Sequence, residues 1–170
     1  MEHGRHQTRI ARDCRRVIDR TVEIRPATAA DADAVADVWL ASFKATYSFS
    51  AAHSDDDVRG WIRSEVGEND EWFVAVDVGG SVVAIMALEG DDLGQLYVHP
   101  DWLGRGVGSR LVELAKQQKP GGLRLYTFQV NDRARRFYER HGFVAEWFGD
   151  GSANEERQPD VRYVWHPGSG

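Results

Sequence analysis

The chain has 170 residues, 42% of them hydrophobic and 28% charged, which is typical of a single globular domain. Its formal net charge of −6 argues against nucleic acid as the main partner, and the sequence has neither an apolar run of ~18 residues nor the apolar segment of a secretory signal, which argues against a membrane protein. The single cysteine, Cys14, excludes a disulfide framework and a zinc site built from cysteines, and fits a cytoplasmic location.

The first 20 residues differ in charge from the remainder of the chain. Residues 1–20 contain six Arg and three acidic residues, whereas residues 21–170 contain 15 basic and 24 acidic residues. We expect residues 1–20 to be a flexible or loosely docked basic extension, followed by one domain over 21–166 and a short tail over 167–170. A basic arm that binds RNA or phosphate is the alternative for the extension. The acidic body suits a cationic or amine ligand.

The N-terminal half of the domain begins with a predicted strand and two predicted helices. The segment VEIRPA alternates and stops at its proline, as a strand does. Thr28, with Asp31 three residues later, is typical of a helix N-terminus, and apolar residues then recur at helical spacing over about 29–45. Asp55 and the two acidic residues after it open a second helix, where we expect capping and dipole roles rather than metal binding.

The C-terminal half is mostly strands. EWFVAVDV and SVVAIMALEG flank two glycines as a hairpin, and LGQLYVHP follows as another strand. A helix is predicted over 106–118, then a strand LRLYTFQV, a short helix in NDRARRFYERHGF, and two final strands, VAEWFG and VRYVW. This order predicts an α/β fold with a mixed central sheet and helices on both faces.

The segment LYVHPDWLGRGVGSRL, residues 96–111, runs from a strand through a glycine-rich loop into a helix. Gly104, Gly106 and Gly108 allow the backbone to approach a ligand, and the first N–H groups of the helix favour an anion. Arg105 adds a positive charge. The spacing is that of neither a dinucleotide fold nor a P-loop. From the loop alone, a pyrophosphate site and a tight turn that caps a structural helix are equal alternatives.

A second segment distinguishes these alternatives. The pattern N-x-x-A-x-x-F-Y-x-x-x-G-F falls on residues 131–143, and Q/R-x-x-G-x-G/A falls on 103–108, with Leu103 where Gln or Arg is usual. With both motifs in this order, the chain from Val22 to Trp165 resembles the GNAT acetyltransferase superfamily. The resemblance implies the acyl-CoA N-acyltransferase fold, a mostly antiparallel central sheet of about seven strands splayed at the fourth and fifth, with helices on both faces.

The resemblance also implies acetyl-CoA as co-substrate, without a metal. Backbone groups at Tyr97 and Val98 would pair with the pantetheine arm, and an N–H there would stabilise the oxyanion. Asn131 would hold the arm, and Ala134 and Phe137 would pack along it. The expected cofactor-binding residues are Tyr97, Val98, Leu103, Gly104, Arg105, Gly106, Val107, Gly108, Ser109, Asn131, Ala134, Phe137 and Tyr138.

Three residues are candidates for proton transfer. Tyr138 lies where the family often keeps a general acid, and its phenol would protonate the departing thiolate; in isolation it would be a core aromatic residue. Asp92 shares a face with Val98 by the period-two rule and matches the position of a catalytic glutamate in histone-type relatives. Glu89 is the second candidate for a base. Both carboxylates could equally be solvated turn residues.

The acceptor site is implied to lie between the first two helices and the loop that joins the last two strands. The helices supply the aromatic residues Trp39, Phe43, Tyr47 and Trp61, and the loop supplies the polar residues Asp150, Asn154, Glu155, Glu156 and Asp160. Carboxylates that face aromatic rings suit a cationic amine, although core packing and a solvated loop explain the same residues.

We therefore expect a monomer or homodimer that acetylates a primary amine of a small molecule by direct attack in a ternary complex. Cys14 precedes the domain, which argues against an acyl-cysteine intermediate. A protein Nα- or lysine acetyltransferase and a non-catalytic CoA-binding module are the alternatives.

Overall fold

The computed structural model describes residues 21–69 and 71–168, so the basic extension predicted for residues 1–20 lies outside the described part of the chain. The elements, in chain order, are β1 (Glu23–Pro26), α1 (Ala32–Thr46), α2 (Asp55–Glu65), β2 (Trp72–Val76), β3 (Val82–Glu89), β4 (Asp92–Val98), α3 (Val107–Gln118), β5 (Leu123–Phe128), α4 (Asp132–Arg140), β6 (Val144–Gly149) and β7 (Asp160–Trp165). Short 3₁₀ turns at Ala29–Asp31 and Pro100–Trp102 precede α1 and the glycine-rich loop.

One sheet contains all seven strands, in the order β1-β2-β3-β4-β5-β7-β6. Every neighbouring pair is antiparallel except β4 and β5, which are parallel. The ladder between β4 and β5 consists of a single residue pair, Asp92 with Arg124, and the two strands diverge beyond it. The predicted α/β fold, with its sheet splayed between the fourth and fifth strands, is confirmed.

The two faces of the sheet have separate cores. On one face, α1 and α2 pack mainly on β2 and β3 through a cluster that includes Val35, Ile62 and Ile85. On the other face, α3 and α4 pack through a cluster that includes Leu111 and Tyr163. The strands before the divergence of β4 and β5 are therefore covered by helices on both faces, since the cluster beneath α3 also includes residues of β2, β3 and β4.

The start of α1 is fixed by the predicted pair of Thr28 and Asp31. The Asp31 carboxylate accepts a hydrogen bond from the backbone N–H of Thr28 at 2.8 Å and two from the Arg25 guanidinium at 2.8 and 2.9 Å. The bonds from Arg25 lower the pKa of Asp31 to about 2. The regular helix begins three residues later than predicted, because Ala29–Asp31 forms a 3₁₀ turn.

At the start of α2 the acidic residues lie in the first turn, as their predicted dipole role requires, but none of them is the predicted N-cap. Ser54 is the N-cap, since its hydroxyl accepts a hydrogen bond from the N–H of Asp57 at 3.1 Å, and three aspartates occupy the first turn. Within residues 21–69 and 71–168, no cluster of three or more His, Cys, Asp or Glu could hold a metal ion. No helix in the same ranges has the length and hydropathy needed to span a membrane.

β4 contains a bulge that changes which of its side chains share a face. Gly94 is the extra residue between two positions that pair with β3, Leu93 and Gln95. Alternation is therefore reversed across the bulge, and Leu93 packs in the same core as Val98. Asp92 consequently belongs to the opposite face from Val98. The period-two argument that placed Asp92 and Val98 on one face is wrong, because it assumed a strand without a bulge.

Candidate active site

A cleft of about 1140 Å³ lies where β4 and β5 diverge. One end is formed by β4, the glycine-rich loop and α4, and the other by α1, β5 and the loop between β6 and β7. The cleft brings together every predicted cofactor-binding residue except Arg105, namely Tyr97, Val98, Leu103, Gly104, Gly106, Val107, Gly108, Ser109, Asn131, Ala134, Phe137 and Tyr138.

The glycine-rich loop has a conformation and a clearance that require glycine. Gly104 and Gly106 have φ of 78° and 85°, in the left-handed region that disfavours other residues. Gly106 is also the N-cap of α3, so the first N–H groups of that helix lie beside the cleft. A Cβ at Gly108 would lie 3.3 Å from the Phe137 ring and 3.6 Å from Val98. We call the backbone of Gly104, Gly106 and Gly108, with the first N–H groups of α3, the cradle. A side chain at Gly108 would narrow it, and its N–H groups suit a pyrophosphate group.

Two polar side chains of the loop, those of Arg105 and Ser109, lie in different surroundings. The Arg105 guanidinium lies over the Trp102 ring, 4.5 Å from its centroid, on the exposed side of the loop. The Ser109 hydroxyl lies 3.0 Å from Nε2 of His141, a residue that follows α4. Sequence analysis had no local signal that joined His141 to this loop, because 32 residues separate it from Ser109.

Tyr138 reaches the cleft from α4 with its ring buried. It is 8% exposed and packs against Phe137, Phe143 and Tyr163, with ring centroids 5.2, 5.6 and 6.3 Å away. Burial raises the pKa of its hydroxyl above the ordinary value of 10, and the nearby Tyr47 adds to the effect. A phenol in this environment keeps its proton at neutral pH and is able to donate it.

Asn131 links two walls of the cleft. Its side-chain oxygen accepts a hydrogen bond from the N–H of Ala134 at 3.1 Å, which caps α4, and its side-chain nitrogen donates to the Tyr47 hydroxyl at 2.9 Å. An amide nitrogen carries two hydrogens, so the second is chemically able to serve a ligand. The role predicted for Asn131 in holding pantetheine stays a prediction.

The two carboxylates predicted as bases lie away from the cleft. Asp92 forms a two-point ion pair with Arg124, with Nε–Oδ1 2.6 Å and Nη2–Oδ2 3.0 Å, at the residue pair that closes the splay. Glu89 is exposed at the hairpin end of β3, where it pairs with Asp92. Neither residue lines the cleft. Their placement argues against direct contact with an amine held there.

The end of the cleft opposite the glycine-rich loop is lined by aromatic rings. Trp39 stacks on Phe43 with ring centroids 5.1 Å apart, and its Nε1 donates to Gln95 at 3.0 Å. Tyr47 meets Phe128 edge-on at 5.3 Å. Trp61, the fourth aromatic residue predicted here, does not line the cleft and packs instead beside Trp72.

The loop between β6 and β7 adds carboxylates to this end. Asn154, Glu156 and Asp160 line the cleft, as predicted, whereas Asp150 and Glu155 do not. Burial raises the pKa of both Tyr47 and Tyr97, and the negative charge of Glu156 adds to each shift.

Two contacts hold this loop against the segment between α1 and α2. Nε2 of His53 lies 2.8 Å from the Glu155 carboxylate. The N–H of Ala52 lies 3.5 Å from the carboxylate of Glu156. The two connecting segments therefore meet at the aromatic end of the cleft.

Comparison with known proteins shows the family. Residues 68–145 match the model of the acetyltransferase (GNAT) domain. Peptidyl-lysine N-acetyltransferase YjaB of Escherichia coli (strain K12) is 31% identical over 122 residues, which cover 72% of this chain and 82% of that protein. The chain belongs to the GNAT acetyltransferase family. It is therefore an acetyltransferase, as the sequence motifs implied.

Further similarities of this GNAT acetyltransferase extend over most of its length. Peptidyl-lysine N-acetyltransferase YiaC of E. coli is 28% identical over 120 residues, 71% of this chain and 82% of that protein. The solution structure of apo YjaB from E. coli superposes with a TM-score of 0.72 at 26% identity, covering 86% of this chain and 98% of that one. PaiA N-acetyltransferase from Thermoplasma acidophilum, solved with coenzyme A, shares the fold, with a TM-score of 0.61 at 18% identity over 85% of this chain and 98% of that one.

Proposed function

We propose that this GNAT acetyltransferase transfers the acetyl group of acetyl-CoA to a primary amine by direct attack in a ternary complex. The observation that carries the proposal is the continuous cleft through the splayed sheet, with a glycine-rich cradle at one end and carboxylates among aromatic rings at the other. Holding an acyl donor and an amine together in one cleft removes most of the entropic cost of their encounter.

The cradle and β4 are the proposed acetyl-CoA site. The pyrophosphate would bind to the N–H groups at the start of α3. The N–H of His99 is bonded to the carbonyl of Val83 on β3 at 2.8 Å. Because successive N–H groups of a strand point in opposite directions, the N–H of Val98 points into the gap beside β5. Val98 is therefore the backbone donor that we propose for the acyl oxygen.

Two side chains are proposed to handle charge and protons. When bound, acetyl-CoA supplies the activated acetyl thioester. Tyr138 would donate its proton to the departing sulfur, and its place in the wall of the cleft supports this role. Glu156 would hold the ammonium group of the acceptor at the aromatic end, where Tyr47 and Phe43 complete the surroundings of a cation.

The acceptor is proposed to present its amine on a flexible alkyl chain. The carboxylates of the cleft and the acidic body of the protein favour a small cationic amine, as the sequence predicted. The second candidate is a lysine side chain of a protein, and its support is that YjaB and YiaC are named peptidyl-lysine N-acetyltransferases. Both candidates would place the same alkylammonium group beside Glu156.

The test is a thiol-release assay with acetyl-CoA, run against one panel of small amines and one panel of lysine-containing peptides. We expect release to rise with at least one acceptor, mass spectrometry to place the acetyl group on its amine nitrogen, and Glu156→Gln to raise KM for that acceptor more than for acetyl-CoA. Asp150→Asn is the matched control, since it removes a carboxylate of the same loop that does not line the cleft and keeps an oxygen to accept the hydrogen bond from the N–H of Ser152. Binding of acetyl-CoA without transfer to any acceptor would contradict the proposal.

A further inference from the structure

The half of the sheet formed by β5, β7 and β6 has one face under helices and one face exposed. Leu125, Val161 and Tyr163 point to the face beneath α3 and α4 and are buried there. On the opposite face, Tyr126 is 53% exposed and Trp147 is 42% exposed. Both rings also line the cleft, so this exposed aromatic surface adjoins the proposed acceptor site, and an exposed patch in such a place is typical of an interaction surface.

The strand register places three side chains of this face in one line. Tyr126 of β5 pairs with Arg162 of β7, and Arg162 pairs with Trp147 of β6. We call these three residues the aromatic row. Neighbouring strands are about 4.8 Å apart, so the row extends roughly 10 Å from β5 to the edge of the sheet. All three residues line the cleft, so the row is part of its wall and extends across β5, β7 and β6 to the edge of the sheet.

The aromatic row is held in place by its neighbours. Nε of Arg162 donates to the Glu146 carboxylate at 2.9 Å, and Nη1 approaches the Tyr126 hydroxyl at 3.5 Å. Gly149 lies beside Trp147, and a Cβ there would be only 2.4 Å from the Trp147 ring. Because Gly149 has no side chain, the Trp147 ring is able to lie against the sheet at this position.

We propose that the aromatic row is the docking surface for the polypeptide segment that carries an acceptor lysine. This inference rests on the proposed transfer to a primary amine and assigns the acceptor to the protein class. The row is roughly 10 Å long, which is more than a minimal alkylamine spans and about the length of three extended residues of a polypeptide. Trp, Tyr and Arg are the residues that contribute most to binding at protein interfaces. The charge of Arg162 is balanced by Glu146, so the surface suits an uncharged stretch of polypeptide.

Continuity with the cleft favours an acceptor over a second copy of this chain as the occupant. Tyr126, Arg162 and Trp147 all belong to the cleft lining, so a second copy seated on the row would cover the aromatic end of the cleft. An acceptor polypeptide must approach that same end for its lysine to enter. The row is correctly placed to bind the residues next to that lysine.

The test compares a lysine peptide that the intact protein acetylates with the minimal acceptor Nα-acetyl-lysine methylamide. Trp147→Ala and Tyr126→Ala should each lower the ratio of kcat/KM for the peptide to kcat/KM for the minimal acceptor by about 10-fold. Phe148→Ala is the matched control, because Phe148 is adjacent to Trp147, 55% exposed, and on the opposite face beside Arg135. The control should leave the ratio unchanged. The rise in melting temperature with acetyl-CoA should persist in all three variants and shows that they are folded.

Five outcomes would overturn the inference. An unchanged ratio in Trp147→Ala and Tyr126→Ala, or an equal fall in Phe148→Ala, would show that the row does not bind the polypeptide. A change of oligomeric state in Trp147→Ala, measured by sedimentation, would assign the row to a second copy. Acetylation of small amines but of no peptide would overturn the inference and leave the proposed function intact. Failure of the intact protein to acetylate any amine would contradict the proposed function as well.

Discussion

Replacing Tyr138 with phenylalanine removes one hydroxyl from the cleft and keeps the buried ring. The ring contacts with Phe137 and Phe143 are retained, so a loss of about 1 kcal/mol of stability, or roughly 2–4 °C in Tm, is the most we expect. If the hydroxyl protonates the departing thiolate, kcat should fall roughly 10²- to 10⁴-fold, about 3 to 5 kcal/mol in activation free energy. The Kd for acetyl-CoA should change little.

The pH dependence of kcat gives a second measurement on the same variant. Burial raises the pKa of Tyr138 above its ordinary value of 10, so the acid form persists as the pH rises through the neutral and mildly alkaline range. The intact protein should therefore show no alkaline decline due to this group below about pH 10. Thiol release at saturating acetyl-CoA and acceptor measures both quantities. Full turnover in Tyr138→Phe, with the acceptor still acetylated, would refute the assignment of Tyr138 as the acid.

Three further substitutions test the cradle, the predicted base Asp92 and the start of α1. Gly108→Asp should abolish the rise in Tm that acetyl-CoA gives, because its side chain would meet Phe137 and its charge would face the phosphates; Gly121→Asp, at an open position, should keep the rise. Asp92→Asn should lower the free energy of unfolding by about 1 kcal/mol or less, as for other surface ion pairs. It should also leave the acidic limb of the kcat/KM profile against pH in place, and loss of that limb would support Asp92 as the base. The pKa of Asp31 is lowered from 3.8 to about 2. The ionised Asp31 therefore contributes fully to the free energy of unfolding above pH 4, and this contribution is lost as the pH falls through 2. Urea unfolding should show a loss of at most about 2 kcal/mol over that range, which Asp31→Asn should abolish and Asp33→Asn should retain.

The parts of the fold that the sequence predicts correctly depend on neighbouring residues. Alternation, helical spacing and caps are local, and they placed the strands and helices within a few residues of their observed ends. The glycine-rich loop is equally local, since φ at Gly104 and Gly106 and the clearance at Gly108 depend on a few positions. The residues that line this end of the cleft, Arg105 apart, are therefore the ones that the two motifs and their family resemblance predicted, and their binding of acetyl-CoA stays a prediction.

The arrangement of the aromatic end of the cleft depends on the register between strands, for which the sequence gives only weak signals. The bulge at Gly94 reversed the face of Asp92, and a lone glycine within a strand was its only local sign. The alignment of Tyr126, Arg162 and Trp147 follows from pairing between three strands that are distant in sequence. Periodicity predicts which face of its own strand each residue takes, and only the pairing shows that they are neighbours.

The divergence of β4 from β5 has a consequence for solubility. Beyond the single pair of Asp92 and Arg124, two strands present unpaired backbone groups to one another in the middle of the sheet. Exposed strand edges are templates for aggregation, and proteins usually protect them with charges, prolines or covering elements. Here the protection is geometric, because the two edges face each other across a cleft whose walls also include α1 and α4. The two edges are therefore walls of the cleft and do not form an outer edge of the sheet, where a strand of another molecule would pair.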